Sequence, residues 1–270
     1  MGMVRIGTVV LGLVLLPHYA AALDGAVPAS GRSTSSASRS APAESAKAPQ
    51  PDAATGVKRA DFAREQASRD ARHIADWVVD SGDNRGLPFV IIDKMDAKIF
   101  VFAASGRIRG AAPALLGFAR GDHTVPGIGD RELSDIRPEE RTTPAGRFVA
   151  GRGTSSRVAN VEDIVWIDYA SALSLHRVIN SNPRERRLER LATPTPTDNR
   201  ISFGCINVPI AFYNEVVSPS FTGTNGIVYL LPETRPAREV FGSYAVEERH
   251  QHAVQPPQNA TFTEESPTTH

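Results

Sequence analysis

The sequence predicts a mainly antiparallel β domain with one helix ahead of it and few helices inside it. Three observations predict this. Short runs rich in β-branched and aromatic residues recur, turn-forming residues separate them, and only two later stretches look helical. The 270 residues are enough for one sizeable core.

The elements follow in order. Residues 58–81 read as the N-terminal helix, with Phe62, Ala63, Ala67, Ile74 and Val78 approximating one stripe. Ser81-Gly82-Asp83 ends it. Phe89–Asp93 and Lys98–Phe102 read as strands joined at Lys94–Ala97, and a further strand begins at Ile108. Phe148–Gly151, Ile164–Tyr169, Ala172–Val178 and Gly226–Leu231 complete the strand series. Pro183–Leu191 and Val208–Val217 are the two later helices, the second with Pro209 in its first turn.

Outside this domain, expected at 88–233, the composition changes. Residues 1–22 read as a secretory signal: Arg5 gives a positive start, Ile6–Leu16 is apolar, and Ala20-Ala21-Ala22 suits a signal peptidase. An apolar run of eleven residues is short of the ~20 that span a bilayer, so no stable membrane anchor is expected. Residues 23–57 are rich in Ala, Ser and Pro and read as a disordered linker; residues 234–270 read as a disordered tail. Lysine plus arginine equals aspartate plus glutamate, 30 each, and no basic stripe interleaved with aromatics indicates nucleic acid.

Cys205 is the single cysteine, so no intramolecular disulfide forms. In an exported chain such a thiol is either inert core or a reactive group. Its surroundings, Arg200-Ile-Ser-Phe-Gly-Cys-Ile-Asn207, lead into the expected Pro209 helix, whose positive end would favour a thiolate. Gly204 allows close approach of backbone to a substrate and frees amides for an oxyanion. A thiol nucleophile usually needs a base. His18 lies in the signal and His250, His252 and His270 in the tail, which leaves His73, His123 and His176. His73 falls on the charged face of the first helix and His123 in a Gly/Asp-rich loop. Period-two alternation along Ala172-Leu-Ser-Leu-His-Arg177 places Ser174 and His176 on the polar face at a strand end, where a base could reach a neighbouring thiol.

These residues resemble the L,D-transpeptidase (YkuD-like) family. Its signature, a histidine followed at a distance by Ser/Thr-His-Gly-Cys-hydrophobic-Asn, is matched by His176 and Ser202-Phe203-Gly204-Cys205-Ile206-Asn207. A second trait, Thr-Pro-x-Gly-x-Phe, is matched by Thr143–Phe148. The resemblance spans roughly residues 89–232 and implies a small β-sandwich with a helix after the cysteine. It implies that Cys205 forms a thioester with a peptidoglycan stem peptide. His176 would take the thiol proton, the Arg177 carbonyl would orient the imidazole, and amides near Gly204 and Cys205 would hold the oxyanion. Ser202, Phe203, Asn207 and Arg200 would shape substrate binding. It implies no metal and no organic cofactor, and it places the protein in the periplasm or cell wall.

Two departures stand out. Phe203 occupies the position of the family's motif histidine, and 25 residues (177–201) separate His176 from Ser202, more than is usual. That segment is basic: residues 177–200 hold six arginines against three acids, which reads either as a flap attracting stem-peptide carboxylates or as a solvated helix. Three functional readings stay open: a transpeptidase, a thiol hydrolase of stem peptides, and a silent wall-binding scaffold.

Overall fold

A computed structural model describes residues 57–155 and 161–254. The expected signal and nearly all of the expected linker lie outside the described residues, as does the tail beyond Val254. The chain is mainly β. Its eight-stranded sheet has the order β3-β2-β1-β10-β5-β6-β7-β9. The strands are β1 (Phe89–Asp93), β2 (Lys98–Phe102), β3 (Ile108–Pro113), β5 (Gly146–Ser155), β6 (Val161–Asp168), β7 (Leu173–Arg177), β9 (Ile206–Val208) and β10 (Gly226–Leu230). A short second ladder pairs β4 (Leu116–Gly117) with β8 (Arg200–Ser202).

The sheet curls until its ends meet. Leu115, just past β3, bonds both ways with Asn207 on β9, Leu115 N to Asn207 O at 2.8 Å and Asn207 N to Leu115 O at 3.0 Å. Closure removes edges that would otherwise offer unpaired backbone. Inside the curl lies one apolar cluster with Val90, Ile99, Val165, Leu175, Ile206 and Val228. A helix lies against it: α3 (Ile210–Phe212), a π-helical stretch (Tyr213–Val217) and α4 (Ser218–Ser220).

A second cluster covers the other face. Helix α1 (Arg69–Ser81) lays Ala71, Ile74, Ala75 and Val78 against the aromatic side of β1, β2 and β10, with Phe89, Phe100, Phe102 and Tyr229. This is why β1 is buried at every position and reads as a continuous apolar run. Truncating Ile74, fully buried, costs roughly 2–5 kcal/mol by the usual cavity cost.

Several boundaries differ from the sequence reading. The N-terminal helix starts at Arg69, not Lys58, because Ser68 caps it: its Oγ accepts the Ala71 amide at 3.1 Å. Ahead of it the chain is non-helical, bridging Asp61 to Arg107 and turning at Ala63-Arg64. The expected disordered tail instead carries α5 (Ala237–Phe241) and α6 (Val246–Val254). Buried Ala237 and Val246, with Phe241 and Tyr244, supply the apolar surface that a count of polar residues concealed. The sheet is also mixed, since β1 pairs with β10 and β7 with β9 in parallel. Parallel neighbours require a long crossover. The arginine-rich segment after β7 is that crossover.

Candidate active site

The β7–β9 pairing brings the site together. It sets His176 opposite Asn207 and Leu175 opposite Ile206, so the turn before β9, holding Cys205, lies beside the polar residues of β7. The Cys205 Sγ lies 3.4 Å from the Ser174 Oγ, which donates to it, and 3.4 Å from the Ala172 carbonyl oxygen, to which the thiol donates.

Three residues fix the turn. Ser202 Oγ donates to the Cys205 carbonyl at 2.6 Å and accepts from the Gly204 amide at 3.1 Å. Thr143, fully buried, donates its hydroxyl to the Gly204 carbonyl at 2.7 Å and accepts from the Gly117 amide at 2.9 Å. Gly204 has φ +133°, and a Cβ there would sit 2.8 Å from the Thr142 carbonyl oxygen, so only glycine fits.

His176 is buried, and its Nδ1 lies 2.7 Å from the Arg177 carbonyl oxygen. A carbonyl only accepts, so Nδ1 carries the proton and Nε2 is the basic nitrogen. Burial pushes the Cys205 thiol up. His176 and Ser174 beside it together outweigh that, so the net direction is down, toward thiolate. The helix-end explanation does not hold. Ile206-Asn207-Val208 forms strand β9, and the helix begins only at Ile210. Pairing with β7, which buries the β-branched Ile206 and Val208, took Val208 from the expected helix.

A cleft of about 460 Å³ opens over the cysteine. Phe203, Gly204 and Cys205 form one side, and Trp166 and Leu173 another. The third wall comes from the connection between β4 and β5, through Ile128, Arg131, Leu133 and Ile136.

The residues expected to bind substrate divide. Phe203 lines the cleft, its ring under the Arg141 guanidinium at 4.0 Å. Arg200 does not line it: its guanidinium pairs with Glu233 at 2.6 Å and donates to the Lys94 carbonyl at 2.8 Å, nearly buried. Ser202 and Asn207 are buried and hold the turn. The Gly204 amide donates to the Ser202 hydroxyl and is engaged within the turn. The Arg177 side chain lies over Tyr213 and pairs with Asp163, so only its carbonyl meets the imidazole. His123 is exposed, and His73 bonds Ser243 at 2.9 Å; neither lines the cleft.

Two contributors escaped the sequence reading. Ser174 was visible on the polar face of β7, yet nothing marked it as a thiol partner. Lys94 gave no signal, because a lysine in a turn reads as solvated. It is fully buried, donating to the Gly121 carbonyl at 2.6 Å, to Asp122 at 2.9 Å and to the Thr143 carbonyl at 2.9 Å.

No family model matches the chain, and no curated protein matches it. Among solved structures it is similar to the helical cell shape determining protein Pgp2 of Campylobacter jejuni (K307A mutant; 11% identity, 69% of this chain, 62% of that one, TM-score 0.38). It is similar to the L,D-transpeptidase of Xylanimonas cellulosilytica (17% identity, 53% and 60%, TM-score 0.33) and to that of Mycobacterium smegmatis (14%, 53% and 58%, TM-score 0.29). The chain thus spans about three fifths of the length of each. The functional reading is carried by the residues around Cys205.

Proposed function

We propose that the protein is an exported, peptidoglycan-acting cysteine acyltransferase of the L,D-transpeptidase type, working in the periplasm or cell wall. One observation carries the reading. A thiol drawn toward thiolate stands at a cleft beside a histidine whose Nδ1–H is held by a main-chain carbonyl, leaving Nε2 as base. That is the arrangement of an activated nucleophile with an oriented base.

In the proposed cycle Cys205 Sγ attacks a stem-peptide carbonyl carbon as His176 Nε2 takes the thiol proton. The oxyanion is met by the Cys205 amide. As the intermediate collapses, the C–N bond breaks, the leaving amine receives the proton from His176, and a thioester remains. An acceptor amine then attacks the thioester, gives its proton to Nε2 and restores the thiol. With water as acceptor the same steps give hydrolysis.

Incubating the protein with disaccharide–peptide fragments of peptidoglycan and analysing products by mass spectrometry tests this. Wild type is expected to yield joined or exchanged fragments and a fragment-mass adduct on Cys205, while Cys205→Ala loses at least 10³-fold of the rate, as removal of a nucleophile does. Activity persisting in Cys205→Ala overturns the mechanism. Shortened stem peptides without joined products would replace transfer with hydrolysis.

A further inference from the structure

The crossover between β7 and β9 reaches the back of the proposed catalytic pair through one side chain. Arg187, at the start of α2 (Arg187–Ala192), is largely buried and donates from Nη1 to Asn207 Oδ1 at 2.7 Å. A guanidinium has only donors, so it fixes which end of the Asn207 amide faces it. The carbonyl end turns to Arg187, and the NH2 end is forced to the other side. There Nδ2 lies 3.5 Å from His176 Nε2 and 3.3 Å from the Cys205 carbonyl oxygen. The first contact is too long for a full hydrogen bond. It does set the positive end of an amide dipole against the nitrogen that must accept the thiol proton.

We infer that Arg187 is a positioning residue for His176, acting through the orientation it imposes on Asn207. With the NH2 end toward Nε2, a neutral imidazole with its lone pair on Nε2 is favoured, and an imidazolium N–H would meet a like dipole end. Without Arg187 only the long 3.3 Å bond from Nδ2 to the Cys205 carbonyl holds the amide, and turning it over would present Oδ1, which accepts from an imidazolium. Arg187 thereby keeps the NH2 end of the amide, and not its carbonyl, against the nitrogen that must accept the thiol proton.

The groups facing the imidazole are few. Cys205 and Ser174 lie on the thiol side. The Arg177 carbonyl holds Nδ1, and the Arg177 guanidinium is turned to Asp163. Asn207 lies opposite His176 on β9. Behind it stands Arg187, whose charge is met by Glu185 through a direct ion pair. That pairing weakens any direct effect of the guanidinium on the ring and leaves the amide orientation as the main route.

This rests on the proposed Cys205–His176 pair, so the test uses a readout that needs no substrate: the rate of Cys205 alkylation by iodoacetamide against pH, with thermal midpoints alongside. His176→Ala identifies the inflection that belongs to the histidine. Arg187→Met should move that inflection up by about half a pH unit, roughly a threefold change in rate at a fixed pH on the flank. In the Asn207→Ala background the same substitution should move it little, and Arg187→Lys, which keeps a donor for Oδ1, should restore the wild-type profile. An equal shift with and without Asn207 would overturn the relay in favour of direct charge. So would an unshifted profile in a folded Arg187→Met protein. If Arg187→Met folds poorly, Arg187→Lys and Asn207→Ala decide: Asn207→Ala with a wild-type inflection overturns the proposal. A profile unaffected by His176→Ala would instead remove the catalytic pair itself.

Discussion

The connection from β4 to β5 and the crossover from β7 to β9 both border Cys205, and both are irregular and rich in charge. They dispose of that charge in different ways. In the first, charges close on one another. Glu140 accepts from Arg131 at 3.0 and 3.1 Å and from the Arg137 amide at 2.9 Å, while Arg141 donates to the Ile136 carbonyl and covers Phe203. Toward the cleft this wall turns Ile128, Leu133 and Ile136 beside the polar Arg131, Glu132 and Ser134. The crossover keeps a smaller apolar anchor, Val178 and Leu191 against Leu115 and Ile201, and sends Arg187 to the site from behind. The difference separates two tasks. The wall shapes the space a substrate enters, and the crossover sets the electrostatics of the residues that would act on it.

The comparison is broken most severely at the root of the wall. Lys94→Met leaves Asp122 buried without its cation and Glu233 with Arg200 alone, and it removes the donor that holds the Thr143 carbonyl. Breaking a buried ion network in this way costs roughly 3–5 kcal/mol. Chemical denaturation should show that loss. Thr143 anchors the Gly204 carbonyl, so Cys205 alkylation should also change its rate. An unchanged denaturation midpoint would mean that the wall does not depend on its buried root.

A milder perturbation acts on the wall alone. The Arg131 and Arg137 hydrogen bonds hold the Glu140 carboxyl down to about 2, from an ordinary value of 4.5. A carboxyl lowered in the folded state adds stability that is complete above its ordinary value and lost as pH falls through the folded one. Between pH 4.5 and 2, then, the segment 131–140 should open, detected as faster cleavage by pepsin within it. Glu140→Gln should open the same segment at neutral pH by hydrogen exchange, with amides of α2 unchanged. Equal loosening of both connections would show that they are one cooperative unit.

The sequence reveals strands well where one physical signal dominates. Phe89–Asp93 and Lys98–Phe102 are found to the residue, because apolar runs between turns have no competing reading. It placed Cys205 and His176 together through alternation, elimination and the family motif. Pairing partners are a different matter. Nothing local in Ile206-Asn207-Val208 states that it will lie parallel to β7, so the helix after the cysteine was placed too near the thiol. Arg200 shows the same limit. An arginine beside a motif reads as a substrate ligand, whereas its partner Glu233 lies 33 residues away, at the last position of the expected domain. Lys94, Arg187 and Arg200 all act through long-range partners, and no periodicity carries that information.

The smallest effect belongs to the outer face of the crossover, where the sequence suggests a basic flap that attracts carboxylates. Arg190 is already engaged there, donating to the Glu185 carbonyl at 2.7 Å and to the Asp198 carbonyl. Arg186 is exposed and pairs at 3.3 Å with Glu189, itself exposed. Such a pair gains little Coulomb energy in water and is screened by salt. Arg186→Ala should therefore change stability by no more than a few tenths of a kcal/mol, as exposed i,i+3 pairs do. It should leave the alkylation profile of Cys205 untouched, in contrast to Arg187→Met one residue along. The two neighbours make a clean internal control, since they share a segment and a charge but differ in what they touch. The informative measurement is the substrate concentration dependence of Arg186→Ala at low and high salt. Equal values at both confine the functional charge of the crossover to Arg187. A several-fold weaker dependence at low salt alone would show that the outer face also steers substrate, and the division of tasks between the two connections would no longer hold.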